Sequence, residues 1–129
     1  MATKFLTPEW AEAVTEAFNA DAGFCKEVAK KRSLIHWSVS EAPDGEVDYY
    51  LDVDHGKAEL GLGEPGAKPD LNLSCSYETL VGIISGRISG RDAFQGRRLR
   101  ADARLITVIR YLSLFHEMNR VMSALDVEY

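Results

Sequence analysis

Histidines and clustered carboxylates are the first side chains to consider for chemistry in this 129-residue chain, because both bind metals and transfer protons. His36, His55 and His116 do not have the i, i+4 spacing with which a helix presents two histidines to zinc. The segment DVDHG, which ends at Gly56, contains two carboxylates but lacks the later glutamate of a calcium loop. We therefore interpret the histidines as surface or lightly buried residues and DVDHG as a hairpin turn, and we predict no metal site.

The cysteines and glycines likewise do not form a known catalytic or phosphate-binding motif. Nucleophilic catalysis requires an activated serine or cysteine beside a base, and the chain contains no Gly-x-Ser-x-Gly motif. Cys75 falls on the apolar phase of a predicted strand, where an inert thiol is expected, and Cys25 has no metal-ligand spacing to it. The four glycines from Gly82 to Gly96 match no phosphate loop and predict turns and helix ends. We expect two buried, reduced thiols, no catalytic residue and no cofactor.

Arginines are concentrated in one segment, although the chain as a whole carries a net charge of −5. Six of them lie between Arg87 and Arg104. This cluster is either a solvated face or a contact surface for an anionic membrane or an acidic ligand head group. Nucleic acid is not expected as a partner, because aromatic residues for base stacking are not interleaved with the arginines. A transient contact with a membrane surface therefore stays open at this point.

Alternating apolar and polar residues, which are typical of half-buried strands, predict the elements that would position these side chains. The predicted strands are Leu34–Ser40, Val47–Val53, Ala58–Leu62, Leu71–Cys75 and a short one at Leu99–Ala101. Turn residues at Pro43–Gly45 and His55–Gly56 connect the first three strands. We therefore expect these three strands to form an antiparallel meander.

Apolar residues at helical spacing predict helices before, between and after the strands. Thr7 and Ser76 are suited to cap two helix starts, and Gly86 is suited to end the second helix. The terminal helix is predicted to begin near Asp102 and to continue for about six turns. Strands that follow one another between flanking helices are typical of an α+β fold. We expect one domain over residues 1–129, with a five-stranded, mainly antiparallel sheet and helices packed on one face.

The termini and the hydropathy of the chain bear on its location. The N-terminal segment MATKFLTPEW has no apolar region of the kind found in secretory signals. No apolar run approaches the roughly 20 residues that span a bilayer. The final residues, DVEY, are not a peroxisomal SKL-type signal. The expectation is a soluble, cytoplasmic protein.

Several short motifs occur in a defined order: DHGKAEL, KPDLNLSCS, YETLVGIISGR and DAFQGRRLRA, followed by a long apolar helix. Together they resemble the sterol carrier protein 2 family over most of the chain, most clearly from Tyr49 to Leu112. The resemblance implies a five-stranded sheet with helices on one side, enclosing an apolar tunnel for a lipid, and no catalysis. Because a peroxisomal signal is missing, it favours a standalone, bacterial-type member.

The resemblance also implies which side chains would contact a ligand. Trp37 and Tyr49 would lie on the inner face of the sheet, and the remaining contacts would lie on the helices above it. These helical residues are Leu80, Ile83, Ile84, Phe94, Ile109, Leu112, Phe115 and Met118. Tyr49 or Arg87 would orient a polar head group. The implied partner is a small hydrophobic ligand: a fatty acid, a fatty acyl group, a phospholipid or a sterol-like molecule.

Two other interpretations remain open from the residues alone, because a packed core and an open cavity bury the same apolar side chains. In the first, the protein is a structural or interaction module with a solid core that forms a homodimer through its C-terminal helix. In the second, it is an enzyme, or an accessory to one, that holds an apolar substrate.

Overall fold

A computed structural model describes residues 2–129 as a five-stranded sheet covered by helices. A two-residue strand, β1 (Thr3–Lys4), pairs in parallel with β7 (Val127–Glu128) near the other end of the chain. The main sheet contains β2 (Arg32–Ala42), β3 (Gly45–Asp54), β4 (Lys57–Leu62), β5 (Leu71–Ser76) and β6 (Arg100–Ala101). The helices are α1 (Pro8–Ala20), α2 (Ala22–Glu27), α3 (Tyr77–Ile84), α4 (Gly90–Gln95) and α5 (Leu105–Ser123).

The strand order of the main sheet is β4-β3-β2-β5-β6. Strands β2, β3 and β4 form the predicted antiparallel meander, and β6 is antiparallel to β5. Strand β5 joins β2 in parallel, so the sheet is mixed, with one parallel pair at its centre. The pairing places Trp37 opposite both Tyr49 and Leu73, which brings these three side chains to the same face. The prediction of an α+β fold with a five-stranded, mainly antiparallel sheet is confirmed.

Capping residues define most helix ends where the sequence predicts them. The N–H of Trp10 donates to the Thr7 hydroxyl at 3.3 Å, and the N–H of Thr79 donates to the Ser76 hydroxyl at 3.2 Å. Gly86 has φ +83°, the left-handed conformation that commonly follows a helix end. These caps confirm the predicted starts of α1 and α3 and the predicted end of α3.

The predicted start of the terminal helix near Asp102 is wrong, because the structure begins α5 at Leu105. The N–H of Asp102 donates instead to the carbonyl oxygen of Asn72 at 2.8 Å, which continues the pairing of β6 with β5. Arg104 still has extended backbone angles and precedes the first helical residue. The helix also ends at Ser123, so it has about five turns rather than six.

The half of the molecule under α1 and α2 has a solid apolar core. Trp10 is buried, and its ring meets those of Phe5 and Tyr49 edge-on at centroid distances of 4.9 and 5.7 Å. Phe18 and Phe24 are fully buried and stack with centroids 4.2 Å apart. Because these rings fill the space between helices and sheet, the interior of this half is packed. A second, more open and more polar groove lies on its outer surface, between α1 and β4.

Strand β4 is an edge strand, and two polar side chains of α1 bind its backbone. The N–H of Leu60 donates to the Thr15 hydroxyl at 2.9 Å. The Asn19 amide nitrogen donates to the carbonyl of Ala58 at 2.8 Å, and its oxygen accepts the Ala58 N–H at 3.0 Å. Backbone groups that would otherwise face solvent along this edge therefore have partners within the same chain.

Candidate functional site

A cavity of about 1250 Å³ lies between the main sheet, α3, α4 and α5. Its floor is formed by Trp37, Tyr49 and Leu73 of the sheet, and β6 borders it at Arg100 and Ala101. Most of the side chains in its wall are apolar. It thus occupies the half of the molecule that the solid core under α1 and α2 leaves unfilled.

All ten side chains that the sequence implied as ligand contacts lie in the wall of this one cavity. They are Trp37, Tyr49, Leu80, Ile83, Ile84, Phe94, Ile109, Leu112, Phe115 and Met118. The geometry brings them together from two strands and three helices. That they touch a ligand, and that the cavity continues as a tunnel, both stay predictions.

An aromatic pair forms part of the cavity floor. Trp37 and Tyr49 stack with centroids 4.8 Å apart and nearly parallel rings, and Phe115 meets Trp37 edge-on at 6.4 Å. Trp10 contacts the Tyr49 ring from the solid core. Because the Tyr49 ring is packed by Trp10 as well as by Trp37, this part of the floor is held in place without a ligand.

The two halves of α5 differ in how deeply their apolar side chains are buried. Ile109 and Leu112 line the cavity, yet each is about half exposed, whereas Met118 farther along the helix is buried. The second half of α5 packs on α2, where the N–H groups of Arg120 donate to Asp21. Both halves border the cavity, but in the first half the apolar side chains of Leu105, Ile106, Ile109 and Leu112 are also exposed to solvent. The mouth of the cavity therefore lies beside the start of α5.

Arginines supply the charge at the cavity, but they are not the arginine that the sequence suggested. Arg87 is absent from the wall; it is exposed, and its Nε donates to the Ser85 hydroxyl at 3.2 Å. Arg91, Arg97 and Arg100 line the cavity instead, and no carboxylate of the described residues 2–129 shares the wall with them. The wall can therefore accept an anionic group beside an apolar body.

Sequence reasoning missed several wall residues besides these arginines. The apolar ones are Leu73, Leu99, Ala101, Leu105, Val108 and Met122, and the polar ones include Gln95, His116 and Asn119. The period-2 pattern of β5 could have placed Leu73 on the inner face beside Trp37. No sequence signal distinguishes His116 from a surface histidine. His36, in contrast, lies on the polar face of the sheet, within 2.9 Å of both Asn72 and Asp48.

Two ionisable side chains in this region are kept neutral. Burial raises the pKa of the Cys75 thiol to about 11, and burial likewise raises the pKa of the Tyr49 phenol well above its usual range. The prediction that Cys75 is buried is confirmed, whereas the prediction that Cys25 is buried is wrong, because its side chain is only partly buried. Tyr49 can act as a neutral hydroxyl in the floor but not as an anion at ordinary pH.

We expect the buried Cys75 thiol to make the fold less stable in alkaline solution. Its folded pKa lies above its usual value of 9.0, so its contribution is fully present below pH 9 and is lost as the pH rises to about 11. Two pH units correspond to roughly 2–3 kcal/mol of unfolding free energy. Urea unfolding of the wild type and of Cys75→Ser at pH 8, 9 and 10 would measure the first part of this loss, about 1.4 kcal/mol by pH 10. An equal alkaline loss in both proteins would contradict the assignment to Cys75.

No helix between residues 2 and 129 has both the length and the apolar character needed to cross a bilayer.

Comparison with known proteins identifies the family to which the chain belongs. The family model of the SCP-2 sterol transfer family matches residues 14–103. Over 93 residues the chain is 24% identical to hydroxysteroid dehydrogenase-like protein 2 of Bos taurus. That match covers 72% of this chain but only 22% of the bovine protein.

Solved structures agree with this match. The fold is similar to that of a conserved hypothetical protein of Thermus thermophilus, described as a candidate sterol carrier protein, with a TM-score of 0.79 and 19% identity. The similarity covers 98% of this chain and 93% of the other. A crystal structure of sterol carrier protein 2 gives a TM-score of 0.79 and 20% identity over 95% and 99% of the two chains. Because the family model matches more than half of its residues, this chain belongs to the SCP-2 sterol transfer family.

Proposed function

We propose that this protein binds a hydrophobic ligand in the cavity under α5 and carries it without changing it chemically. The observation that supports this most directly is a cavity of about 1250 Å³ whose wall is mainly apolar. Cavities that hold small ligands are commonly about 300–1,000 Å³. This one is therefore large enough for a fatty acid, a fatty acyl group, a phospholipid or a sterol-like molecule.

Burial of the ligand's apolar surface would supply the affinity. Each 100 Å² of apolar ligand surface removed from water contributes roughly 2.5 kcal/mol before the cost of association. Met118 and Met122 in the wall have flexible, unbranched side chains, which adapt to ligands of different shape. We therefore expect the protein to accept several related lipids rather than a single one.

The composition of the wall supports carriage rather than catalysis. Among the described residues 2–129, the wall contains no serine, threonine, cysteine, lysine, aspartate or glutamate. His116 is its one ordinary acid–base group, and it has no nucleophile or carboxylate beside it in the wall. We propose a single ligand-binding domain over residues 1–129 that works in the cytoplasm and exchanges its ligand with membranes.

Two other functions have different support. The interaction module with a solid core is disfavoured by the cavity, although a homodimer through α5 stays a prediction. An accessory that holds an apolar substrate for an enzyme is favoured by the match to one segment of the much longer bovine dehydrogenase-like protein. Chemical conversion of a bound lipid by the purified protein alone would contradict the carrier proposal.

Native mass spectrometry of the purified protein, followed by solvent extraction, is the direct test. We expect a lipid mass at one molecule per chain, and saturable uptake of a fluorescent fatty acid that unlabelled fatty acid displaces. A ligand-free mass would overturn the proposal if the protein also failed to take up both a fluorescent fatty acid and a fluorescent sterol.

A further inference from the structure

Four large apolar side chains are exposed on the first half of α5. Leu105 is 61% exposed, Ile106 55%, Ile109 49% and Leu112 46%. Their spacing of one, four and seven residues from Leu105 places them along one side of the helix. Among residues 2–129 the one other exposed large apolar side chain is that of Tyr129, at the far end of the chain. We call the four residues the α5 patch; a concentrated apolar surface of this kind usually marks a contact site.

Positive charge is concentrated in the segment that contains the α5 patch, and Arg91, Arg97 and Arg100 share the cavity wall with patch residues. The segment from Ser85 to His116 contains seven arginines and two aspartates, a net charge of +5, whereas the rest of the chain carries −10 and the whole chain −5. All seven arginines are exposed. None of them lies within 4.0 Å of a carboxylate among the described residues, although Arg32 and Arg120 do. The cationic groups near the patch are therefore free to meet an external anion.

The α5 patch and the cavity share side chains. Leu105, Ile109 and Leu112 belong both to the exposed patch and to the wall of the cavity. Ile106 belongs to the patch alone, and Arg98 and Arg104 lie outside the wall. A partner that covered the patch would therefore also cover the mouth of the cavity.

We propose that the α5 patch docks onto an anionic lipid bilayer, with its apolar side chains inserted among the head groups and the arginines of residues 85–116 on the lipid phosphates. This combination of apolar side chains and arginines matches the requirements of an interfacial membrane contact. The inference rests on the proposed function in one respect: docking would place the cavity mouth against the bilayer, so that a ligand passes between them without crossing water.

Charge favours a bilayer over a second copy of this chain as the partner. In a twofold dimer through the α5 patch, each patch would meet its own copy, so two regions of charge +5 would face each other. Like charges brought together in this way oppose association. An anionic bilayer presents the complementary charge and also accepts the apolar side chains.

Vesicle co-sedimentation tests the docking. The probe is vesicles of phosphatidylcholine with about 30% phosphatidylglycerol, compared with phosphatidylcholine alone. We expect binding to the anionic vesicles only, weakened by ~0.5 M salt. Arg98→Glu combined with Arg104→Glu should weaken it roughly 100-fold, and Ile106→Gln about tenfold. The matched control, Lys4→Glu with Lys57→Glu, has the same net charge, and its substitutions lie at the chain-end strand pair and the far edge of the sheet.

If the patch variants and this control lost vesicle binding to the same extent, the proposal would be overturned, because net charge rather than the patch would then explain binding. A concentration-dependent dimer that Ile106→Gln dissociates, with no vesicle binding by the wild type, would overturn it in favour of a second copy. Uptake of a fluorescent fatty acid in vesicle-free buffer tests ligand binding, the proposed function, separately from membrane docking. The Arg98, Arg104 and Ile106 variants should keep that uptake, since none of the three side chains lines the cavity.

Discussion

Ile109→Trp should weaken binding of a fluorescent fatty acid by roughly tenfold to 100-fold, about 1.4–2.7 kcal/mol, while the protein unfolds as cooperatively as the wild type. Ile109 lines the cavity but is about half exposed, so an indole can be accommodated without displacing the packed core. The larger ring would occupy space at the cavity mouth that a ligand needs. Fluorescence titration and urea unfolding of the same preparation would measure the two effects.

The control for this experiment is the same substitution three residues earlier. Ile106 is similarly exposed on α5 but does not line the cavity, so Ile106→Trp should leave the affinity for the fatty acid unchanged. Ile83→Trp adds the same bulk from α3, another helix of the cavity wall, and should weaken binding as well. If both wall variants bound the ligand as tightly as the wild type, the ligand would have to lie elsewhere.

Phe18→Ala should lower the free energy of unfolding by about 3–5 kcal/mol. Phe18 is fully buried, and its ring stacks on that of Phe24 at 4.2 Å in the solid core between α1 and α2. Truncation would leave a void that the neighbouring rings cannot fill without moving. Urea unfolding at neutral pH would measure the loss. The fraction that remains folded should still bind the fluorescent fatty acid, because Phe18 does not line the cavity.

Phe94→Ala provides the matched comparison, since the same atoms are removed from the cavity wall. Phe94 is only partly buried and borders space that is already empty, so its removal should cost little unfolding free energy and should weaken ligand binding. A large stability loss at Phe94 with unchanged binding would indicate that its ring is part of the core and not of the ligand site.

Local patterns were sufficient for much of the fold. The alternation around His55–Gly56 predicts β3 and β4, and Ser76 and Gly86 mark the ends of α3, because these features depend only on residues close in sequence. The start of α5 depends instead on the bond between Asp102 and Asn72, which lie far apart in sequence. A contact of that range leaves no periodic signal in the sequence.

The candidate site could be predicted only in part from the sequence. Apolar residues such as Ile109 and Leu112 keep helical spacing whether the helix face meets a core or borders an empty cavity, so the pattern cannot distinguish the two. The resemblance to a family, and not the periodicity, placed them together with Trp37. Among the arginines, the spacing could not show that Arg97 lines the cavity and Arg87 does not, since both lie in irregular segments next to short helices.

The hydrogen bonds that Thr15 and Asn19 of α1 make to β4 have a consequence for how this protein avoids aggregation as it folds. An uncovered edge strand can pair with a strand of another unfinished chain. Because synthesis proceeds from the N-terminus, residues 8–20 of α1 leave the ribosome before residues 57–62 of β4. The segment that covers the edge is thus available before the edge itself exists, and the growing sheet can be protected as soon as β4 pairs.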